Sequence, residues 1–169
     1  LYYISRSFIS NDVDMIGGKV DLLYNDDVPN WLSHQAASAL GALDYGESDL
    51  YIQDRSLSLF GLNMAFKKTN KRFRESLGIK KNGFFISAGE DTQFFLDYLR
   101  EGKKILYQPR ALVYHKVEKC RLSKYYLRKW YLNNAKANML RTQCVGKTSI
   151  IYNFLNLTKS FICTLKWSF

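Results

Sequence analysis

Hydrophobic positions along the chain fall into short blocks separated by polar or glycine-bearing stretches, and the spacing inside each block predicts an element. The opening "LYYISRSFI" has the apolar spacing of a helix. "DMIGGKVDLLY" reads as a short strand in which Gly17 and Gly18 permit a bulge or a close backbone approach. Residues 25–31 form a loop, "LSHQAASALGAL" a helical stretch, and "DYGESDLYIQDRS" a polar, irregular connection. "LFGLNMAFKK" is strand-like and entered through Gly61. "TNKRFRESLG" predicts a short helix closed by Gly78, followed by a loop through "IKKNGFFISAG". Residues 91–100 predict a helix with Phe94, Phe95, Tyr98 and Leu99 as its buried stripe and Gly102 just past its end. "KKILYQP" and "ALVYHK" read as two short strands broken by Pro109, and a long basic helix follows from about Ser123 to Arg141. This mixture of strands and helices, with no internal repeat and no low-complexity linker, predicts the α/β class.

A length of 169 residues allows one domain with a real core, and 47% hydrophobic against 24% charged residues is a globular composition that argues against disorder. Lys and Arg number 25 against 15 Asp and Glu, giving a net charge of +10. That balance implies a polyanionic partner such as nucleic acid, acidic lipid or a nucleotide diphosphate. The three cysteines, Cys120, Cys144 and Cys163, form no paired metal-binding spacing. A disulfide framework and a structural zinc site are therefore not expected, and a reducing cytoplasm is. The chain opens on Leu1 within a structured stretch, so a piece of a longer protein is expected.

Three stretches carry candidate chemistry. In "SAGEDTQFF", Glu90 and Asp91 stand at the start of a helix that must bury its aromatic side chains. An acid there either caps the helix, satisfying free amides and favouring its dipole, or serves as a catalytic carboxylate at the edge of a cleft. In "YQPRALVYH", strand alternation puts Ala111, Val113 and His115 on one face. His115 is then either a hydrogen-bonded structural residue or a ligand. In "FGLNMAF", a glycine and an amide side chain stand beside an apolar strand, as in a turn with a satisfied asparagine. Asp12 and Asp14 formally spell Asp-x-Asp, but they lie directly against the "IGGKV" strand, and Asp26 and Asp27 are adjacent rather than spaced.

Taken in order, "IGGKV", "LDYGE", "FGLNMAFKK", "ISAGEDTQFFLDYLREGKKILYQPRALVYHKV" and "RLSKYYLRKWY" resemble the acceptor-side half of bacterial family 2 glycosyltransferases that build cell-surface polysaccharides. The resemblance spans about residues 13–141 and is most specific over 89–115. It implies a partial GT-A (nucleotide-diphospho-sugar transferase-like) fold lacking the N-terminal nucleotide-binding half. Residues 1–122 would be the C-terminal half of that domain, and residues 123–169 a basic tail of amphipathic helices. The implied activity is inverting transfer of a sugar from a nucleotide-diphosphate sugar to a hydroxyl on a saccharide or lipid-linked acceptor. Asp91 matches the family's general base, and Glu90 would position the acceptor or the base. His115 matches a ligand to a divalent metal, Mg²⁺ or Mn²⁺, beside the donor diphosphate. Gly61 and Asn63 match the donor-sugar pocket, and Gly18 and Lys19 the strand start at the active-site floor. Arg121 falls in a segment that would fold over the diphosphate. Two departures stand out: the family's nucleotide-binding half with its Asp-x-Asp is not in this sequence, and Leu62 separates Gly61 from Asn63.

Plotted at 100° per residue, residues 149–169 put Ile150, Phe154, Leu157, Phe161 and Leu165 on one side and Asn153, Asn156, Ser160 and Thr164 largely on the other. With Lys124, Arg128, Lys129, Lys136 and Arg141 upstream, this tail suits docking on an anionic membrane surface, peripheral on the inner face of the cell membrane. A helix packed on the domain is the alternative. Tyr and Lys interleaved in "RLSKYYLRKWY" also suit nucleic acid, but no groove-reading motif accompanies them, so no nucleic-acid partner is expected. The rival to catalysis is a non-catalytic sugar-binding or membrane-adaptor protein of the same fold.

Overall fold

The computed structural model describes residues 1–73 and 89–143. Most of the helix expected over 69–78, the loop that follows it and the amphipathic tail over 149–169 lie outside the described residues. The described elements are α1 (Tyr2–Ser10), β1 (Met15–Tyr24), α2 (His34–Ala39), β2 (Leu50–Ile52), β3 (Met64–Phe66), α3 (Glu90–Arg100), β4 (Ile105–Val117) and α4 (Lys124–Gln143). Short 3-10 turns over Gly61–Asn63 and Lys119–Arg121 lead into β3 and α4. The four described strands form one sheet in the order β2-β4-β1-β3. β4 runs parallel to β1, β3 antiparallel to β1, and β2 antiparallel to β4. The α/β class is therefore as expected.

β1 and β4 are the spine. Their register runs from Met15 opposite Ile105 to Gly18 opposite Gln108, and resumes with Val20 opposite Val113. A single residue of β1 thus faces residues 109–112 of β4. Pro109 lies inside this irregularity, where its missing N–H breaks no ladder bond. The two strands expected on either side of Pro109 are consequently one continuous strand. The gap left between the chains is closed by Asn63, whose buried side-chain amide donates to the Lys19 carbonyl at 3.0 Å and the Ala111 carbonyl at 2.5 Å. Gly18 makes this possible, because a Cβ there would lie 1.9 Å from the Ala111 carbonyl oxygen.

On one face of the sheet, Phe94, Phe95 and Tyr98 of α3 pack with Met15, Val20, Leu43, Ile52, Leu59, Ile105 and Tyr107. Burying each such aromatic contributes about 1.5–3 kcal/mol. α3 ends at a left-handed Gly102, φ +67°, whose N–H reaches the Leu99 carbonyl at 3.2 Å. On the other face, Ile4 and Phe8 of α1 cover Val13, Ile16 and Leu106. A third cluster joins Ala36, Ala39 and Leu40 of α2 to Val117, Leu122 and Leu127. The start of α4 is thereby packed on the body, across the boundary expected after residue 122.

Two connections differ from expectation. "DYGESDLYIQDRS" contains β2, an edge strand of three residues paired with Ile105, Leu106 and Tyr107. α2 covers only six residues of its apolar stretch, starting where the Ser33 hydroxyl accepts from the Ala36 N–H at 3.2 Å. Among the described residues, no helix is long and apolar enough to cross a membrane.

Candidate functional site

The end of α2, the Phe60 turn, the first turn of α3, the end of β4 and one face of α4 enclose a cleft of about 660 Å³. Asp91, His115 and Arg121 all line it. The cleft thus joins three of the residues that the sequence nominates.

Asp91 sits in the first turn of α3, which opens after Gly89 at φ +154°, a conformation that a side chain disfavours. One carboxylate oxygen, Oδ1, accepts from the Thr92 N–H at 2.7 Å. The other, Oδ2, accepts from the Gly61 N–H at 2.9 Å, from a segment 30 residues away. A Cβ on residue 61 would lie 3.3 Å from the Asp91 Cβ, so the absence of a side chain there is what lets the two segments meet. Asp91 therefore does part of a cap's work on a first-turn amide, while also fixing the Gly61 turn. Glu90 points elsewhere: its Oε2 accepts from the Gly89 N–H at 3.3 Å, and it is not among the cleft's lining residues.

His115, on the face of β4 shared with Ala111 and Val113, is half-buried against Gly41, which has φ +105° and no room for a Cβ beside Leu62. Arg121 Nη1 lies 3.0 Å from His115 Nε2. A guanidinium only donates, so Nε2 accepts and the ring proton resides on Nδ1. Arg121 Nε donates to the Tyr126 hydroxyl at 2.9 Å, and Nη2 to the Leu40 carbonyl at 3.5 Å. Burial first, and then the Arg121 charge, hold the His115 pKa below its ordinary value of 6.5.

These residues do not fit the divalent metal implied by the family resemblance. One ring nitrogen of His115 accepts from a cation and the other then carries the proton, leaving no lone pair to give. Among the described residues, no group of three or more His, Cys, Asp or Glu side chains is placed to hold an ion.

The lowered pKa has a measurable consequence. The unfolded chain takes up a proton near 6.5 and the folded one only at lower pH, so stability contributed by neutral His115 is complete above 6.5 and is lost as pH falls through the folded value. The His115 ring resonances are expected to titrate below 6.5, and Arg121→Gln to move that midpoint upward. An unchanged midpoint in the variant would remove the guanidinium as a cause.

The remaining nominated residues lie outside the cleft. Lys19 Nζ is paired with Asp44 at 2.9 Å and Glu47 at 3.2 Å, and the hydrogen bonds to these two acids raise its pKa strongly. Gly18 and Asn63 close the strand irregularity, and both N–H bonds of the Asn63 amide are used there. Sequence reasoning in turn missed a wall of the cleft. Tyr126, Trp130, Asn134 and Asn138 recur every fourth residue and all line it. That spacing was the available signal, masked by the basic residues between them.

No family model matches this chain. No curated protein and no solved structure matches it either.

Proposed function

We propose that this chain is the acceptor-side part of an inverting glycosyltransferase of the GT-A type, with Asp91 as its general base. The observation that carries the reading is the cleft in which Asp91 and Arg121, supplied by separate elements, stand with an aromatic and amide wall from α4. In the reaction, Asp91 takes the proton of an acceptor hydroxyl while that oxygen attacks the anomeric carbon of the donor sugar. The bond from that carbon to the diphosphate oxygen breaks, and its electron pair leaves with the diphosphate. Trp130 brings aromatic surface to the cleft, suited to the apolar side of a saccharide, and Asn134 brings an amide suited to its hydroxyls. The basic residues of α4 suit a site of action at the cytoplasmic face of an anionic membrane.

The test is sugar transfer from a panel of nucleotide-diphosphate sugars, using the longest protein that the coding sequence specifies, with Asp91→Asn as the deciding variant. Transfer lost with donor binding kept is the expected result. Transfer at a near-normal rate in the variant overturns the assignment. The rival, a non-catalytic saccharide-binding protein of the same fold, is favoured by one feature: both Asp91 oxygens already serve backbone amides. It predicts saccharide binding without transfer in the unaltered protein.

A further inference from the structure

We propose that Arg121, oriented by neutral His115, is a diphosphate-binding cation that acts without a divalent metal. The reading of that diphosphate as a donor's leaving group rests on the function proposed above; the anion site itself does not.

A guanidinium carries five N–H bonds in a planar fork. Tyr126, His115 and the Leu40 carbonyl each take one, which leaves two on a side chain that lines the cleft. The three contacts come from α4, β4 and the end of α2, so the plane of the fork is fixed by three elements before any ligand arrives. Its central carbon also lies over the Tyr126 ring, 5.3 Å from the ring centroid. A cation fixed in this way loses little side-chain entropy on binding two oxygens of a phosphate.

Lys19, Lys71, Arg100 and Lys104 each sit against a carboxylate. Among the described residues, no ion pair involves Arg121. Its neighbours are a phenol, a neutral imidazole and a carbonyl, which orient the charge but do not neutralise it. A half-buried cation in that state favours an anionic ligand. The carboxylate in the same cleft, Asp91, belongs to the first turn of α3 and is held on the Gly61 side. Arg121 belongs to the turn after β4 and is held on the α4 side. Base and cation are therefore supplied to the one cleft by different elements.

His115 acquires a new role in this arrangement. It is a positioning residue: its lone pair holds Nη1, and it touches the ligand only through Arg121. As the carbon–oxygen bond of the donor breaks, the electron pair adds a negative charge to the diphosphate, and the fixed guanidinium meets that charge where a metal would otherwise stand.

The test is calorimetric titration of the 169-residue chain with inorganic pyrophosphate in EDTA, repeated with Mg²⁺, while the His115 ring resonances report the site. Uridine diphosphate and uridine are parallel arms: equal binding of pyrophosphate and uridine diphosphate places recognition in the diphosphate, and binding of uridine alone overturns the proposal. The expected result is pyrophosphate binding in EDTA that Mg²⁺ does not tighten, with the His115 resonances shifting on binding. Arg121→Gln should weaken it by roughly 10- to 100-fold, the loss of charge-assisted hydrogen bonds. His115→Gln, which restores an acceptor for Nη1, should bind more tightly than His115→Ala. Should Arg121→Gln fail to melt cooperatively, Arg121→Lys keeps the charge without the fork, and weakened binding in that variant carries the same meaning. Binding only with Mg²⁺, equal binding in wild type and Arg121→Gln, or no binding and no His115 shift would each overturn the proposal. Pyrophosphate binding by the 169-residue chain, with no sugar transfer by the longest protein that the coding sequence specifies, would sink the glycosyltransferase reading and leave the Arg121 site standing.

Discussion

Asp91→Asn is expected to lower kcat for sugar transfer by about 10²- to 10⁴-fold, the usual contribution of a positioned general base. The amide has no lone pair basic enough to take the hydroxyl proton. KM for the donor should stay near its original value, because in the proposed reading the donor's charge is met by Arg121, which comes from a different element of the cleft. The substitution also has a structural effect that must be separated from the chemical one. Asp91 accepts from the N–H groups of both Thr92 and Gly61. Asparagine keeps one carbonyl oxygen and turns an NH₂ toward the other amide, so about 1–3 kcal/mol of stability should go with the lost acceptor. Thermal melting beside the transfer assay resolves the two. A variant that melts earlier yet transfers sugar at a normal rate would leave Asp91 as a purely structural tie between α3 and the Gly61 turn.

Gly18→Ala should destabilise the fold by about 3 kcal/mol or more, beyond the middle of the range for overpacked cores. The new methyl would lie 1.9 Å from the Ala111 carbonyl oxygen and 2.4 Å from the Asn63 Nδ2. Neither neighbour can yield cheaply: the first is backbone of β4 in its irregular stretch, and the second is held by two hydrogen bonds. At about 2–4 °C per kcal/mol for a chain of this size, the melting temperature should fall by roughly 6–12 °C. Gly17→Ala is the internal control. Its methyl meets the end of the Leu59 side chain at 2.3 Å, which a rotamer change relieves in part, so its loss should be smaller. If Gly18→Ala melts like the wild type, the close approach of β1 to β4 through Asn63 is wrong.

Elements with strong periodicity or clear end signals were legible in the sequence. α1, β1, α3 with Gly102 beyond it, and the start of α4 all lie close to where apolar spacing puts them. β2 was not legible, because its three residues sit among polar ones and owe their conformation to pairing with β4 rather than to a pattern of their own. The continuity of β4 was hidden by Pro109, which reads as a breaker unless the opposing strand is known to leave a gap. At the candidate site, Asp91 and His115 were nominated by residue type and position, and Arg121 by the family resemblance. Their relations were not, since the bond from Arg121 to His115 and that from Gly61 to Asp91 depend on how separate elements meet. Asn63 shows the limit most sharply: the same amide reads as a sugar contact or as a strand clamp, and only its two carbonyl partners distinguish them.

The strand order has a consequence for how the chain is made. β4 is the last described strand in sequence, yet it occupies an interior position between β2 and β1. While a ribosome synthesises the stretch from Phe66 to Val117, β1 has one edge without its partner and β2 has no partner in the sheet. At about 5–20 residues per second, that interval of about 50 residues lasts roughly 3–10 seconds. For those seconds the nascent chain carries an open edge next to apolar residues such as Met15 and Ile16. Until β4 is made, that edge stays open however well the earlier elements have formed.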